Sequence, residues 1–250
     1  MSHTVTTPPV VDTGFGRGVA LVGYSLVSYL IGVVGLGLLI LEATGLIPLG
    51  AFRFTGNAAA AAAVNVGLLL LFGLQHSVMA RASFKQRLYR VLPAALERST
   101  FVWTSGVAMA ATVLLWQPVD GFVLWQTSGV ASWLLLGLGV LGWAYLFAAT
   151  FAINHWDLFG LRQAWLAAHG ERYTHVEFKE HWMYRYSRHP IMLGVLIGIW
   201  AIPTMTATQL FLTAGLTLYI AVGVYFEERD LIRQWGPKYL EYKRRVGALL

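Results

Sequence analysis

The chain has 250 residues, 57% of them hydrophobic and only 12% charged, with a formal net charge of +6 and no cysteine. A soluble domain carries about 25% charged residues, and one core of this size cannot hide so much apolar surface, so a soluble enzyme is all but excluded. The lack of cysteine excludes disulfides, thiolate metal sites, iron–sulfur clusters and cysteine nucleophiles, and leaves the redox compartment open.

Residues 1–18 read as a flexible amino-terminal tail. Val19 to Leu41 follows without a charge and, at about 1.5 Å per residue, reaches about 35 Å, enough to cross a hydrocarbon core of about 30 Å. It is too long for the apolar part of a cleavable signal and has only Arg17 on its amino flank, so it is expected to be retained. Further uncharged stretches run from Ala58 to Met79, Phe101 to Trp116, Val130 to Ile153, Ile191 to Met205 and Thr208 to Phe226. Residues 19–153 therefore form a four-helix transmembrane portion. Residues 154–250 supply a cytoplasmic loop, a helical hairpin turning at Pro203 and Thr204 to Thr208, and an amphipathic end. The fifth stretch is short, so five and six membrane segments are both open. The expected fold is an all-α, polytopic membrane helical bundle; a β-barrel would need alternating strands of about ten residues.

Basic residues test the alternation. Arg81, Lys85, Arg87, Arg90 and Arg98 fall between the second and third segments. Arg162, Arg172, Lys179, Arg185 and Arg188 fall between the fourth and fifth, and Arg229, Arg233, Lys238, Lys243, Arg244 and Arg245 follow the last. With Arg17 they share one face, leaving Arg53 opposite, a positive-inside pattern that puts both termini in the cytoplasm. Anionic lipid head groups account for this charge better than nucleic acid, which is not expected as a partner.

Polar chemistry gathers in two places on that face. One is the run from Asn154 through His155, Asp157, Arg162 and Gln163 on to His189. The other opens with Glu227 and Glu228 at the end of the last apolar helix. Pro190 suits a first helical turn, so a helix begins there, and its free N–H groups can receive a carboxylate or phosphate beside the two carboxylates. Arg188 and His189 also have plain readings, as a head-group anchor and a cap. Glu227 and Glu228 oppose the helix dipole and so want compensation from Arg229, Arg188 or a ligand. Leu231, Ile232, Trp235, Tyr239, Tyr242 and Val246 recur at helical spacing around a break at Gly236-Pro237, an interfacial amphipathic segment that can also cover a site.

Some patterns mislead. Gly137 to Gly142 matches the dinucleotide fingerprint inside an apolar span with no strand before it, and reads as close helix packing, as do Gly194 and Gly198. His76, beside Gln75 in the second span, raises haem or a proton relay, but without a partner histidine at convincing depth. His155, His169, His175 and His181 lack metal-ligand spacing, and no metal is expected.

The ordered array Arg188-His189-Pro190-Ile191-Met192-Leu193-Gly194, a hairpin, Glu227-Glu228, and Trp235 to Tyr242 with Val246 resembles the carboxy-terminal half of the isoprenylcysteine carboxyl methyltransferase superfamily. Those are membrane enzymes using S-adenosylmethionine, and phospholipid methyltransferases look similar there. The family usually has tyrosine where this chain has Met192. The block Asn154 to Gln163, with the chain's size and other spans, looks like the narrower branch of bacterial membrane methanethiol S-methyltransferases, which make dimethyl sulfide.

The resemblance implies a cofactor set. Arg188, His189 and the helix N-terminus would hold the amino-acid part of S-adenosylmethionine. Glu227 or Glu228 would hold its ribose hydroxyls or ammonium, Tyr239 would close the pocket, and Met192 and Gly194 would line it. It implies a small thiol as acceptor. Because a thiol is mostly protonated at neutral pH, a base is wanted; Asp157 and His155 are the candidates, with loop capping as their other reading. The alternatives are methylation of a prenylcysteine or a phospholipid amine, and a non-enzymatic transporter or haem carrier, which would want charges mid-span. The bacterial inner membrane, with the site facing the cytoplasm, is the expected location; oligomeric state is not legible.

Overall fold

A computed structural model describes residues 14–119, 121–176 and 180–249. Most of the expected amino-terminal tail, and Lys179, lie outside the described residues.

The chain opens with α1 (Phe15–Ala43), then α2 (Ala58–Ala80), which Asn57 caps by accepting from the N–H groups of Ala59 and Ala60. A short α3 (Ala82–Leu88) leads to α4 (Glu97–Leu115), strand β1 (Val123–Gln126) and α5 (Gly129–Ile153). Two further short helices follow, α6 (His155–Leu158) and α7 (Leu161–Ala168). Then come α8 (Pro190–Trp200), β2 (Thr204–Thr206), α9 (Ala207–Trp235) and α10 (Pro237–Arg245).

Among the described residues four helices, α1, α2, α5 and α9, are long and apolar enough to cross a membrane. Their outer faces leave large apolar side chains bare, with Val34 60%, Leu134 70%, Leu141 66% and Leu218 67% exposed, a surface that suits lipid and not water. The chain is thus an all-α membrane bundle. Helix α8 has 11 residues. At about 1.5 Å per residue that is about half a hydrocarbon core. It ends against α5, and the chain returns through β2, which pairs antiparallel with β1. The tight hairpin expected from Pro203 is therefore completed by a strand pair at the bundle end opposite α6 and α7.

Small residues set the closest crossings. A Cβ on Gly35 would lie 2.2 Å from the Gly106 carbonyl oxygen, so α1 and α4 touch backbone to backbone. Gly142 and Gly194 do the same for α5 and α8, where a Cβ on Gly194 would meet Leu146 N at 2.7 Å. The apparent fingerprint at Gly137 to Gly142 is thus a packing face in its second half. The core between these helices is built from Leu39, Phe72, Val113, Trp116, Trp143, Leu146, Ile199, Leu212 and Leu216.

Candidate active site

The apolar part of α9 stops at Phe226, and the helix runs on through Glu227 and Glu228 to Trp235. There Gly236, at φ +54°, turns the chain, and Pro237 starts α10, which folds back so that Tyr239 and Tyr242 are 1% and 2% exposed. The return brings Lys243 onto the Glu228 carboxylate. From the other side Arg188, just before α8, donates to the same carboxylate through Nε at 2.7 Å and through an Nη. Burial opposes ionisation of Glu228, but the hydrogen bonds from Lys243 and Arg188 win and hold its carboxyl below its ordinary range.

Pro190 opens α8 as the sequence implies, and His189 precedes it without capping it through its side chain. The His189 ring is buried between the two carboxylates, Nε2 at 3.4 Å from Glu228 Oε1 and Nδ1 at 3.5 Å from Glu227 Oε2. Glu227 keeps about half of its side chain exposed. Burial and the neighbouring Glu228 charge push the Tyr239 phenol up to about 12.

The segment after α10 runs over the start of α8. Arg188 N donates to the Gly247 carbonyl and His189 N to the Ala248 carbonyl, both at 3.0 Å, while the Arg188 guanidinium donates to the Val246 and Lys243 carbonyls. Tyr242 donates its hydroxyl to the Tyr184 carbonyl at 2.5 Å. Arg188 is therefore committed to this chain's own carboxylate and carbonyls. Beside Tyr242 and Val246 opens a cavity of about 280 Å³, also lined by His181, Trp182, Arg185 and Arg245. Of the other cofactor candidates, Met192 is partly buried in the first turn of α8, and Gly194 faces α5.

The upstream candidates form a second cluster. His155 is 3% exposed and stacked on Phe151, ring centroids 4.2 Å apart. Thr150 gives its hydroxyl proton to the Phe147 carbonyl, so its oxygen accepts from His155 Nδ1–H at 2.8 Å, and Tyr29 then donates to Nε2 at 3.0 Å. Both ring nitrogens are used, and burial lowers the proton affinity of the ring. Asp157 accepts from Arg162 at 2.8 Å and from the Tyr173 phenol at 3.1 Å. Asn154 caps this turn by accepting from Asp157 N. Burial and the Asp157 charge push Tyr173 up to about 12, so it stays a donor.

Arg98 joins the clusters. Its Nε donates to the Leu158 carbonyl at 2.6 Å, and Asp157, Tyr173 and Glu227 all lie within electrostatic range of its guanidinium. In the sequence Arg98 is only one of the face-marking charges, and nothing there singles out Tyr29, Thr150 or Tyr173. Lys243 was likewise only one of a basic run, although the Gly236-Pro237 break was the signal that its helix turns back.

Over 194 residues the chain is 46% identical to methanethiol S-methyltransferase 2 of Bradyrhizobium diazoefficiens, covering 78% of this chain and 74% of that protein. The chain belongs to the methanethiol S-methyltransferase family. The methanethiol S-methyltransferase of Mycobacterium tuberculosis is also 46% identical, over 76% of this chain and 78% of its own. That of Crocosphaera subtropica is 40% identical, over 75% and 73%. No family model matches the chain. No solved structure matches it. In this member of the methanethiol S-methyltransferase family, the paired carboxylates of α9, the start of α8 and the returning α10 form one connected polar centre.

Proposed function

We propose that the chain methylates methanethiol to dimethyl sulfide with S-adenosylmethionine as donor, at the cytoplasmic face of a bacterial inner membrane. The observation that carries the reading is the identity of 46% to proteins named for that reaction, over three quarters of the chain. The basic residues crowding the α8 and α10 end support the cytoplasmic face, and residues 154–250 carry the donor-binding part of the site.

The residues present fit the donor. Glu227, half exposed and steadied by His189, suits ribose hydroxyls or the ammonium. The free N–H groups of Ile191 and Met192 in the first turn of α8, with Arg185 in the neighbouring cavity, suit the carboxylate. Trp182 and Tyr242 give that cavity aromatic walls for the adenosyl end. Arg188, Lys243 and Glu228 brace the frame, Tyr239 closes it, and Gly194 serves by letting α8 approach α5. S-Adenosylmethionine supplies an electrophilic methyl group on a sulfonium sulfur. Charge is annihilated when a thiolate meets a sulfonium, so a site poor in water favours the reaction and positioning contributes much of the rate. Asp157, tied to Arg162 and Tyr173, braces the loop, the other of its two readings from sequence, and His155 holds α6 against α1.

Purified protein in lipid nanodiscs, given labelled S-adenosylmethionine with methanethiol, a prenylcysteine and phosphatidylethanolamine in parallel, tests this. Volatile dimethyl sulfide from the first arm alone is expected. No methyl transfer in any arm, with no donor bound, overturns it.

A further inference from the structure

Gln75 and His76 of α2 serve neither cluster above. Gln75 Nε2 reaches Thr104 Oγ1 at 2.9 Å and Ser105 Oγ at 3.2 Å, but its Oε1 is buried with no hydrogen-bond partner among the described residues. One turn of helix short of the end of α2, His76 fixes Nδ1 on Ser105 Oγ at 3.1 Å, while its Nε2 has no partner among the described residues. Phe72, Phe101 and Tyr219 surround the ring, with centroids 5.4, 4.6 and 6.2 Å away. An apolar span that holds a half-satisfied amide bears a cost unless something completes it.

Arg98 stands at the edge of the same group. Its Cζ lies 4.8 Å from the Phe101 ring centroid that His76 also contacts, and it is within electrostatic range of His76. Beyond the Nε bond to Leu158, its Nη groups have no hydrogen-bond partner among the described residues. Arg98 also senses Glu227, the carboxylate of the proposed donor site. A base, a guanidinium shared electrostatically among Glu97, Asp157 and Glu227 but with its Nη groups unbonded among the described residues, and an aromatic wall are thus grouped within range of that site.

We propose that His76 and Arg98 form the thiol site, His76 Nε2 taking the acceptor's S–H proton and Arg98 steadying the sulfur as its charge develops. The inference rests on the thiol-methylation reading above. In the balanced step the thiol S–H bond breaks and its proton ends on His76 Nε2. The sulfur forms a bond to the methyl carbon, and the electrons of the donor's carbon–sulfonium bond stay with the departing sulfur. The charged and titratable groups facing His76 are Arg98 from α4 and Tyr219 from α9.

Full-length His76→Gln, Arg98→Lys and Ser105→Ala in nanodiscs test it, with labelled-donor binding measured beside turnover. His76→Gln is expected to bind the donor within threefold of wild type and to lose a hundredfold or more in turnover. Its residual rate should climb about tenfold per pH unit toward the thiol's own pKa, because solution must then supply the thiolate. Arg98→Lys should raise the KM for methanethiol more than it lowers kcat. Without any methyl donor, ethanethiol should shift the ¹⁵N-imidazole resonance assigned to His76. Should His76→Gln lose donor binding, Ser105→Ala decides, with a displaced pH profile expected and an unchanged one overturning the proposal. Turnover of His76→Gln within threefold of wild type also overturns it and leaves the methylation reading standing. A wild type that makes no dimethyl sulfide defeats that reading, and this inference with it.

Discussion

Arg188 and Glu228, forty residues apart in the chain, form an ion pair in which the two side chains are only 7% and 10% exposed. The pair ties the start of α8 to the end of α9, and Lys243 adds α10 to the same carboxylate. Removing the acid strands a buried guanidinium. Glu228→Ala is expected to destabilise the protein by about 3 kcal/mol, read as a lower midpoint of thermal unfolding in detergent. A midpoint equal to wild type contradicts this.

The same carboxyl makes stability pH-dependent. Glu228 holds its proton less tightly folded than at its ordinary value of 4.5. Its contribution is therefore complete above that value and is lost as pH falls through the lower folded value. Between pH 6 and pH 3 the thermal midpoint of wild type should fall more steeply than that of Glu228→Gln, and parallel curves would show that the pair carries no such linkage.

Asp157 is spoken for by Arg162 and Tyr173. Asp157→Asn is expected to cost about 1 kcal/mol of stability and to keep the shape of the turnover–pH profile. Loss of one limb of that profile would restore Asp157 as the base.

The segment after α10 occupies the N–H groups of Arg188 and His189. Deleting residues 247–250 should free them, loosen the start of α8 and weaken donor binding several-fold in an equilibrium binding assay. Unaltered affinity would show the segment to be a passive neighbour.

Gly106 meets α1 backbone, where an added Cβ would stand 2.6 Å from the Ile31 carbonyl oxygen. Gly106→Ala should destabilise by about 1–3 kcal/mol, whereas Gly37→Ala, with open space around it, should not. Equal unfolding midpoints for the two variants would contradict the close crossing.

The spans were legible because an uncharged run long enough to cross lipid has few other uses, and the start of α8 was legible because proline can open a helix but not continue one. The ordered motif from Arg188 to Val246 was legible for a different reason, since its members keep their order along the chain. Partners were not. The motif implies Arg188 as a ligand of the donor, yet its guanidinium bonds Glu228 and two carbonyls. His155 was offered as a base, yet both ring nitrogens are engaged by Thr150 and Tyr29, the latter 126 residues away.

By itself the sequence determined a lightly charged, membrane-embedded helical chain whose polar groups crowd one face. That follows from transfer energetics, which depend on each segment's composition and not on its neighbours. Only the tertiary structure decided which of those groups remain free to act. A side chain's donors and acceptors are spent on whatever packing brings within about 3 Å, and that is set by glycine-controlled helix crossings and by the turn at Gly236. By that test Arg188 spends its donors on Glu228 and two carbonyls, whereas Arg98, one of the face-marking charges, and His76, read for haem or a proton relay, keep unbonded nitrogens among the described residues.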